Sequence, residues 1–226
     1  MNEIEKKYVH NTYQKIYKCF DSSRAYLWES VKIFLDNIPK NSIILECGSG
    51  NGKNLEKRKD CINIAFDLCS EFCKITQKKK IDSIVANNLM IPFKNYSIDF
   101  ILSIAVIHHL SSWERRKQCI EEMIRILIPG GKLMIQVWAF EQSNKSKNKF
   151  NKQENLISFK NPQQTMNELR YYYVFKKNEL YNMVSEFDNI KILESYWEAG
   201  NWIIICEKIP PRRPFMWGEQ IWLGSK

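Results

Sequence analysis

Residues 43–52 read Ile-Ile-Leu-Glu-Cys-Gly-Ser-Gly-Asn-Gly, so a short apolar run passes through one acid into glycine at every second position. An apolar run bounded by glycines predicts a buried parallel strand. Alternating glycines let the backbone turn sharply and let a ligand approach it with no Cβ in the way. The first strand–helix turn of a doubly wound sheet is where adenosine-type cofactors dock. The spacing also separates two ligand classes: a dinucleotide fingerprint, G-x-G-x-x-G, starting at Gly48 requires glycine where Lys53 stands.

Strand and helix signals alternate after this point. Strands are expected at 43–47, 62–66, 82–86, 99–106 and 132–138, with helices at 52–59, 69–79 and 113–127, the last stopped by Pro129-Gly130-Gly131. That alternation implies a mostly parallel, doubly wound α/β sheet. Two helical stretches precede it, about 4–20 and 26–37, parted by Phe20-Asp21-Ser22-Ser23-Arg24. A polar insertion of about 141–168, rich in Lys and Asn, reads as a flexible loop. A helix near 176–186 and closing strands at 190–197 and 201–207 suggest an antiparallel hairpin added to the sheet. One domain over 1–208 follows, with N-terminal helices in 1–38, a binding core in 42–140 and a tail of 209–226.

The formal charge of +9 favours a polyanionic partner such as RNA. No stretch approaches the roughly 18 apolar residues of a membrane span, and no secretory signal opens the chain. Seven cysteines at irregular spacing, without a histidine pattern beside them, fit reduced thiols in a cytoplasmic or nuclear protein and imply no metal site.

The loop pattern E-x-G-x-G-x-G resembles the first motif of the class I, Rossmann-like S-adenosylmethionine-dependent methyltransferases. That resemblance implies a seven-stranded sheet and assigns Glu46, Gly48, Gly50 and Gly52 to the cofactor. Asp67, ending the second strand, suits the ribose hydroxyls, or alternatively caps the helix that follows. Asn87, Asn88 and Leu89 end the third strand and Ile104 the fourth, and all four are expected at the cofactor, with Leu89 and Met90 packing on the adenine. The class carries Asp where Asn87 stands; Asn still accepts through its carbonyl oxygen, but without a charge. At the end of the fourth strand His109 is expected to line the site and His108 to pack. Neither the Asn/Asp-Pro-Pro-aromatic motif of base-nitrogen methylation nor the cysteine nucleophile of pyrimidine C5 methylation is present there.

A more specific resemblance rests on Tyr8–Tyr13, Phe20–Arg24 with Trp28, Ser103–His109, Glu114-Arg115-Arg116, Val137–Gln142, Arg170–Phe175 and Gly200-Asn201-Trp202. Together these are similar to the eukaryotic tRNA methyltransferases that esterify 5-carboxymethyluridine at the anticodon wobble position. The resemblance implies a tRNA anticodon loop as substrate and a small zinc-binding activator subunit as partner. A carboxylate nucleophile needs holding and aiming rather than deprotonation, which suits Arg24 and Arg170. Tyr171 and Tyr172 are candidates for stacking on the base, or for core. The family pattern has His where Tyr173 stands. Two other readings remain open: a carboxyl methyltransferase of small molecules, and a cofactor-binding scaffold without turnover.

Overall fold

The computed structural model describes residues 2–22, 27–160 and 167–210. Arg24, most of the tail and part of the insertion lie outside these described residues. Helical turns at Glu3–Glu5 and Lys6–His10 lead into α1 (Asn11–Ser22), and α2 follows (Glu29–Asp36). The sheet is built from β1 (Ile43–Cys47), β2 (Ile62–Asp67), β3 (Asp82–Val85), β4 (Ile98–Ile104), β5 (Leu127–Trp138), β8 (Ile190–Glu198) and β9 (Asn201–Lys208). Its order is β3-β2-β1-β4-β5-β9-β8; β9 runs antiparallel to β5 and β8, and the other pairs are parallel.

Period-two alternation explains the two layers that cover this sheet. Ile44, Leu102, Met134 and Ile203 face one side and pack with Val31, Phe34 and Leu35 of α2. Leu45, Ile101, Leu133 and Ile204 face the other and pack with Ile120, Met123 and Ile124 of α4 (Trp113–Ile126) and Leu180 and Met183 of α5 (Glu179–Ser185). Residues buried on both faces are what a parallel sheet demands, and β1 is buried along nearly its whole length. A further helix, α3 (Ser70–Lys78), buries Phe72, Cys73 and Thr76 beside β2 and β3.

Two expectations are corrected. No helix spans 52–59; only a 3-10 turn at Leu55–Lys57 forms. Leu55 is the one apolar residue in that stretch, so a helix there has no face to bury. The insertion of 141–168 is not loop throughout. β6 (Glu154–Lys160) pairs antiparallel with β7 (Asn167–Tyr173) in a separate two-stranded sheet. Among the described residues no helix is long and apolar enough to cross a membrane.

Candidate active site

The strand ends β1 to β4 and the N-terminal helices enclose a cavity of about 580 Å³. Its floor is the glycine turn, where Gly48, Gly50 and Gly52 have φ of +68°, +54° and +69°. Each glycine has its own reason. A Cβ on Gly48 meets Val106 at 2.7 Å and one on Gly52 meets Thr76 at 2.7 Å, whereas one on Gly50 has nothing closer than Phe20 at 3.8 Å. Gly48 and Gly50 border the cavity; Gly52 does not, and its place is against α3.

Asp67 holds the backbone and faces the cavity at once. Its carboxylate accepts from Gly50 N–H (2.9 Å) and Cys69 N–H (2.8 Å), pinning the turn and the start of α3, and it also borders the cavity. The carboxylate keeps acceptor capacity for a ligand beyond these backbone contacts. Burial pushes its carboxyl up, against the pull of those N–H groups. Glu46 is almost wholly buried: one oxygen accepts from Asn54 Nδ2 at 2.5 Å and Oε2 has no partner. Burial raises this carboxyl to about 8. Asn87 Oδ1 accepts from Leu89 N–H (3.0 Å), while Asn88 Oδ1 is buried without a partner. Leu89 turns into the core and Met90 into solvent, so Leu68 and Phe72 supply the apolar wall expected of that pair. Ile104 borders the cavity, followed by Ala105 at φ +61°, a strained conformation for a residue with a side chain.

The opposite wall is aromatic, from Tyr13, His109, Tyr172 and Trp138. Trp138 and Tyr172 stack at 4.4 Å with planes 23° apart. His109 Nδ1 lies 2.7 Å from the Tyr171 carbonyl, which can only accept, so Nδ1 carries the proton and Nε2 accepts from the Tyr13 hydroxyl at 3.0 Å. Burial lowers His109 to about 3, against the carbonyl contact that favours its charged form. His108 packs as expected, fully buried, with Nδ1 accepting from Trp138 N–H at 3.1 Å.

Along β7 the alternation decides the remaining candidates. Arg170 and Tyr172 share one side; Arg170 Nη1 donates to the Tyr172 hydroxyl at 2.8 Å, placing the guanidinium behind the cavity wall. Tyr171 and Tyr173 share the other, towards Arg116, whose guanidinium lies 3.6 Å from the Tyr173 ring centre. Tyr171 therefore does not border the cavity, a correction to its expected role; Tyr172 does. A last element was not expected. Glu5 is buried at the cavity edge and accepts from Arg115 Nε (2.7 Å), Ser111 N–H (2.8 Å) and Ser111 Oγ (2.9 Å), tying the first helical turn to the start of α4.

A family model described as a methyltransferase domain matches residues 45–135. An Arabidopsis thaliana protein named tRNA (carboxymethyluridine(34)-5-O)-methyltransferase is 43% identical over 144 residues, covering 64% of this chain and 36% of its own length. A Schizosaccharomyces pombe protein of the same name is 33% identical over 227 residues, covering 91% of this chain and 98% of its own. The chain belongs to this methyltransferase family. It spans only about a third of the Arabidopsis relative, 36% of that length. Among solved structures, a methyltransferase from Haloferax volcanii in complex with the Trm112 methyltransferase activator shares the fold, with a TM-score of 0.64 at 15% identity over 91% of this chain and all (100%) of that one.

Of the two departures from the family pattern, Tyr173 stands outside the cavity and its ring packs against Arg116. Asn87 does border the cavity. Beside it, Asn88 brings an unpaired carbonyl oxygen of the kind an adenine amino group needs.

Proposed function

We propose that this chain transfers a methyl group from S-adenosylmethionine to the carboxylate of 5-carboxymethyluridine at the tRNA wobble position. The observation that carries this reading is Arg170. It is a buried cation, 5% exposed, that no carboxylate pairs among the described residues, and its Nε lacks a partner. An unpaired buried charge costs several kcal/mol. An anionic substrate beside Tyr172 offsets that cost.

The cofactor supplies an electrophilic methyl group on a sulfonium. Glu46 Oε2 would hold its ammonium, Asp67 its ribose hydroxyls, and Asn88 with Asn87 its adenine amino group. A carboxylate is ionised at neutral pH, so no proton has to be removed. One of its oxygens would form the new bond to the methyl carbon as the carbon–sulfur bond breaks, with the electron pair staying on sulfur. His109, held neutral with both nitrogens engaged, is unsuited to be a general base and belongs to the wall that excludes water. Catalysis then consists of proximity and of stripping water from an anion. Arg24, outside the described residues, is a second candidate to hold that anion.

Lys145, Lys147, Lys149, Lys176 and Lys177 flank the site in sequence and suit the anticodon phosphates. The activator subunit is proposed to dock on β3, one of the two edge strands, where Ile84 and Val85 are exposed at 41% and 57%, with Met90 after the strand at 77%.

The test is incubation of the chain, alone and with the activator, with labelled S-adenosylmethionine and tRNA bearing 5-carboxymethyluridine. Nucleoside mass spectrometry should find the methyl ester. Absence of ester where the fission yeast relative produces it overturns the reading; turnover of free carboxylic acids without RNA favours a small-molecule enzyme.

A further inference from the structure

We infer that Asn201 reads the N3–H of the substrate's uracil ring and so sets the base specificity of the site. This inference rests on the tRNA reading above and adds a residue to it.

Asn201 is 2% exposed, begins β9, and borders the cavity. Its side-chain nitrogen lies 3.3 Å from the carbonyl oxygens of both Glu198 and Ala199. Carbonyls only accept, so those contacts fix which end of the amide is nitrogen. What Asn201 has left to offer the cavity is Oδ1, an acceptor, and among the described residues nothing donates to it.

The turn that delivers it is a two-residue hairpin turn, with positive φ at both residues, held by its neighbours. Ala199 has φ +45° and Gly200 φ +84°, and a Cβ on Gly200 would stand 2.5 Å from the Gln142 side chain. Gln142 Nε2 bridges the carbonyls of Ala139 (2.7 Å) and Gly200 (2.9 Å), and Trp202 Nε1 donates to Glu141 at 3.0 Å. The Val137–Gln142 and Gly200–Trp202 motifs are thus one clamp. These contacts fix the position from which Asn201 enters the cavity edge.

The sheet order says at what it aims. Glu46, Asp67 and Asn87 lie at the ends of β1, β2 and β3, on one side of β4. Asn201 pairs with Trp138 at the end of β5 on the other side, beside the aromatic wall. It therefore faces the methyl acceptor and not the cofactor's nucleoside. A uracil with a carboxymethyl group at C5 has one ring donor, N3–H, between two acceptor carbonyls. A cytosine has a lone pair at N3, which faces Oδ1 as acceptor against acceptor.

The test compares wobble 5-carboxymethyluridine with 5-carboxymethylcytidine in otherwise identical anticodon stem–loops, using the chain with its activator. The native protein should favour uridine in kcat/KM by on the order of 100-fold, the effect of leaving a buried acceptor unpaired. Asn201→Ala should bring the ratio below about tenfold by removing that acceptor. The ratio is indifferent to how much of a variant is folded; if turnover of Asn201→Ala is too low, the same ratio is read from equilibrium binding. Equal use of both bases by the native protein, or an unchanged ratio in Asn201→Ala, overturns the inference and leaves the methyltransferase reading standing. No ester on either base overturns both.

Discussion

The Tyr13 hydroxyl and His109 Nε2 meet at 3.0 Å, joining the N-terminal helix to the loop after β4 across 96 residues of chain. The contact closes the cavity and uses the last free lone pair of the imidazole. Tyr13→Phe leaves that nitrogen buried and unpaired, so about 1–3 kcal/mol of stability should be lost, as measured by denaturant unfolding. Because the imidazole moves no proton in the proposed reaction, the pH profile of kcat should keep its shape. A new acidic limb in Tyr13→Phe would contradict that role.

His109 also makes folding pH-dependent. Its pKa is lowered to about 3 in the folded chain by burial, against about 6.5 when unfolded. Between these values the unfolded chain binds more protons, so the contribution of His109 is fully present above pH 6.5 and lost as pH falls towards 3. His108, lowered for the same reason, adds in the same direction. Unfolding free energies at several pH values should show the loss, and His109→Asn should show less of it than the native chain.

Glu46 runs the opposite way, raised to about 8 by burial, and so mostly protonated at pH 7 before any ligand binds. A cofactor ammonium beside Oε2 favours the ionised form, so S-adenosylmethionine binding should release a proton. Calorimetry in buffers of different ionisation enthalpy should show close to one proton released at pH 6.5–7, and affinity rising up to about pH 8. Glu46→Gln should bind without release and with an affinity independent of pH over this range.

The parallel core was legible because its strands are continuous apolar runs between glycines, and β1 lies where the 43–47 run predicts. What stayed hidden had weak or degenerate signals. β6 is mostly exposed, so its residues look like loop. Three successive tyrosines reveal a period of two but not its phase, and only the pairing of Arg170 with Tyr172 selects Tyr172 for the cavity. Leu89 packs in the core and not at the cavity because the Asn87–Met90 bridge turns it inward, a tertiary event without a local signature. The clamp between Gln142 and Gly200 joins segments 58 residues apart and cannot be read from either.

The three glycines should fail differently. Gly50→Ala has room, so its fold cost is the left-handed backbone, roughly 1–2 kcal/mol. Its methyl group faces the cavity, and cofactor affinity should fall more than stability. Gly52→Ala adds a clash with Thr76 away from the cavity, so the larger effect should be on the melting temperature. Thermal melts with and without S-adenosylmethionine separate the two.

Arg170→Met distinguishes an anion site from a structural arginine. Replacing a buried unpaired charge by an apolar side chain of similar length is commonly neutral or stabilising. The loss of its hydrogen bonds to Tyr172 and Tyr13 and of its ring contacts with Tyr172 and Phe159, about 1 kcal/mol each, sets the other side of the balance. Melting temperature should therefore change little, while kcat/KM on carboxymethyluridine tRNA should fall roughly 10- to 100-fold, the scale of a charge acting through the intervening Tyr172 at an effective dielectric of about 20 rather than by direct contact. S-adenosylmethionine affinity should hold, since Arg170 stands behind the aromatic wall and away from Glu46 and Asp67. A variant that melts early yet, where folded, turns over normally would assign Arg170 to the fold alone.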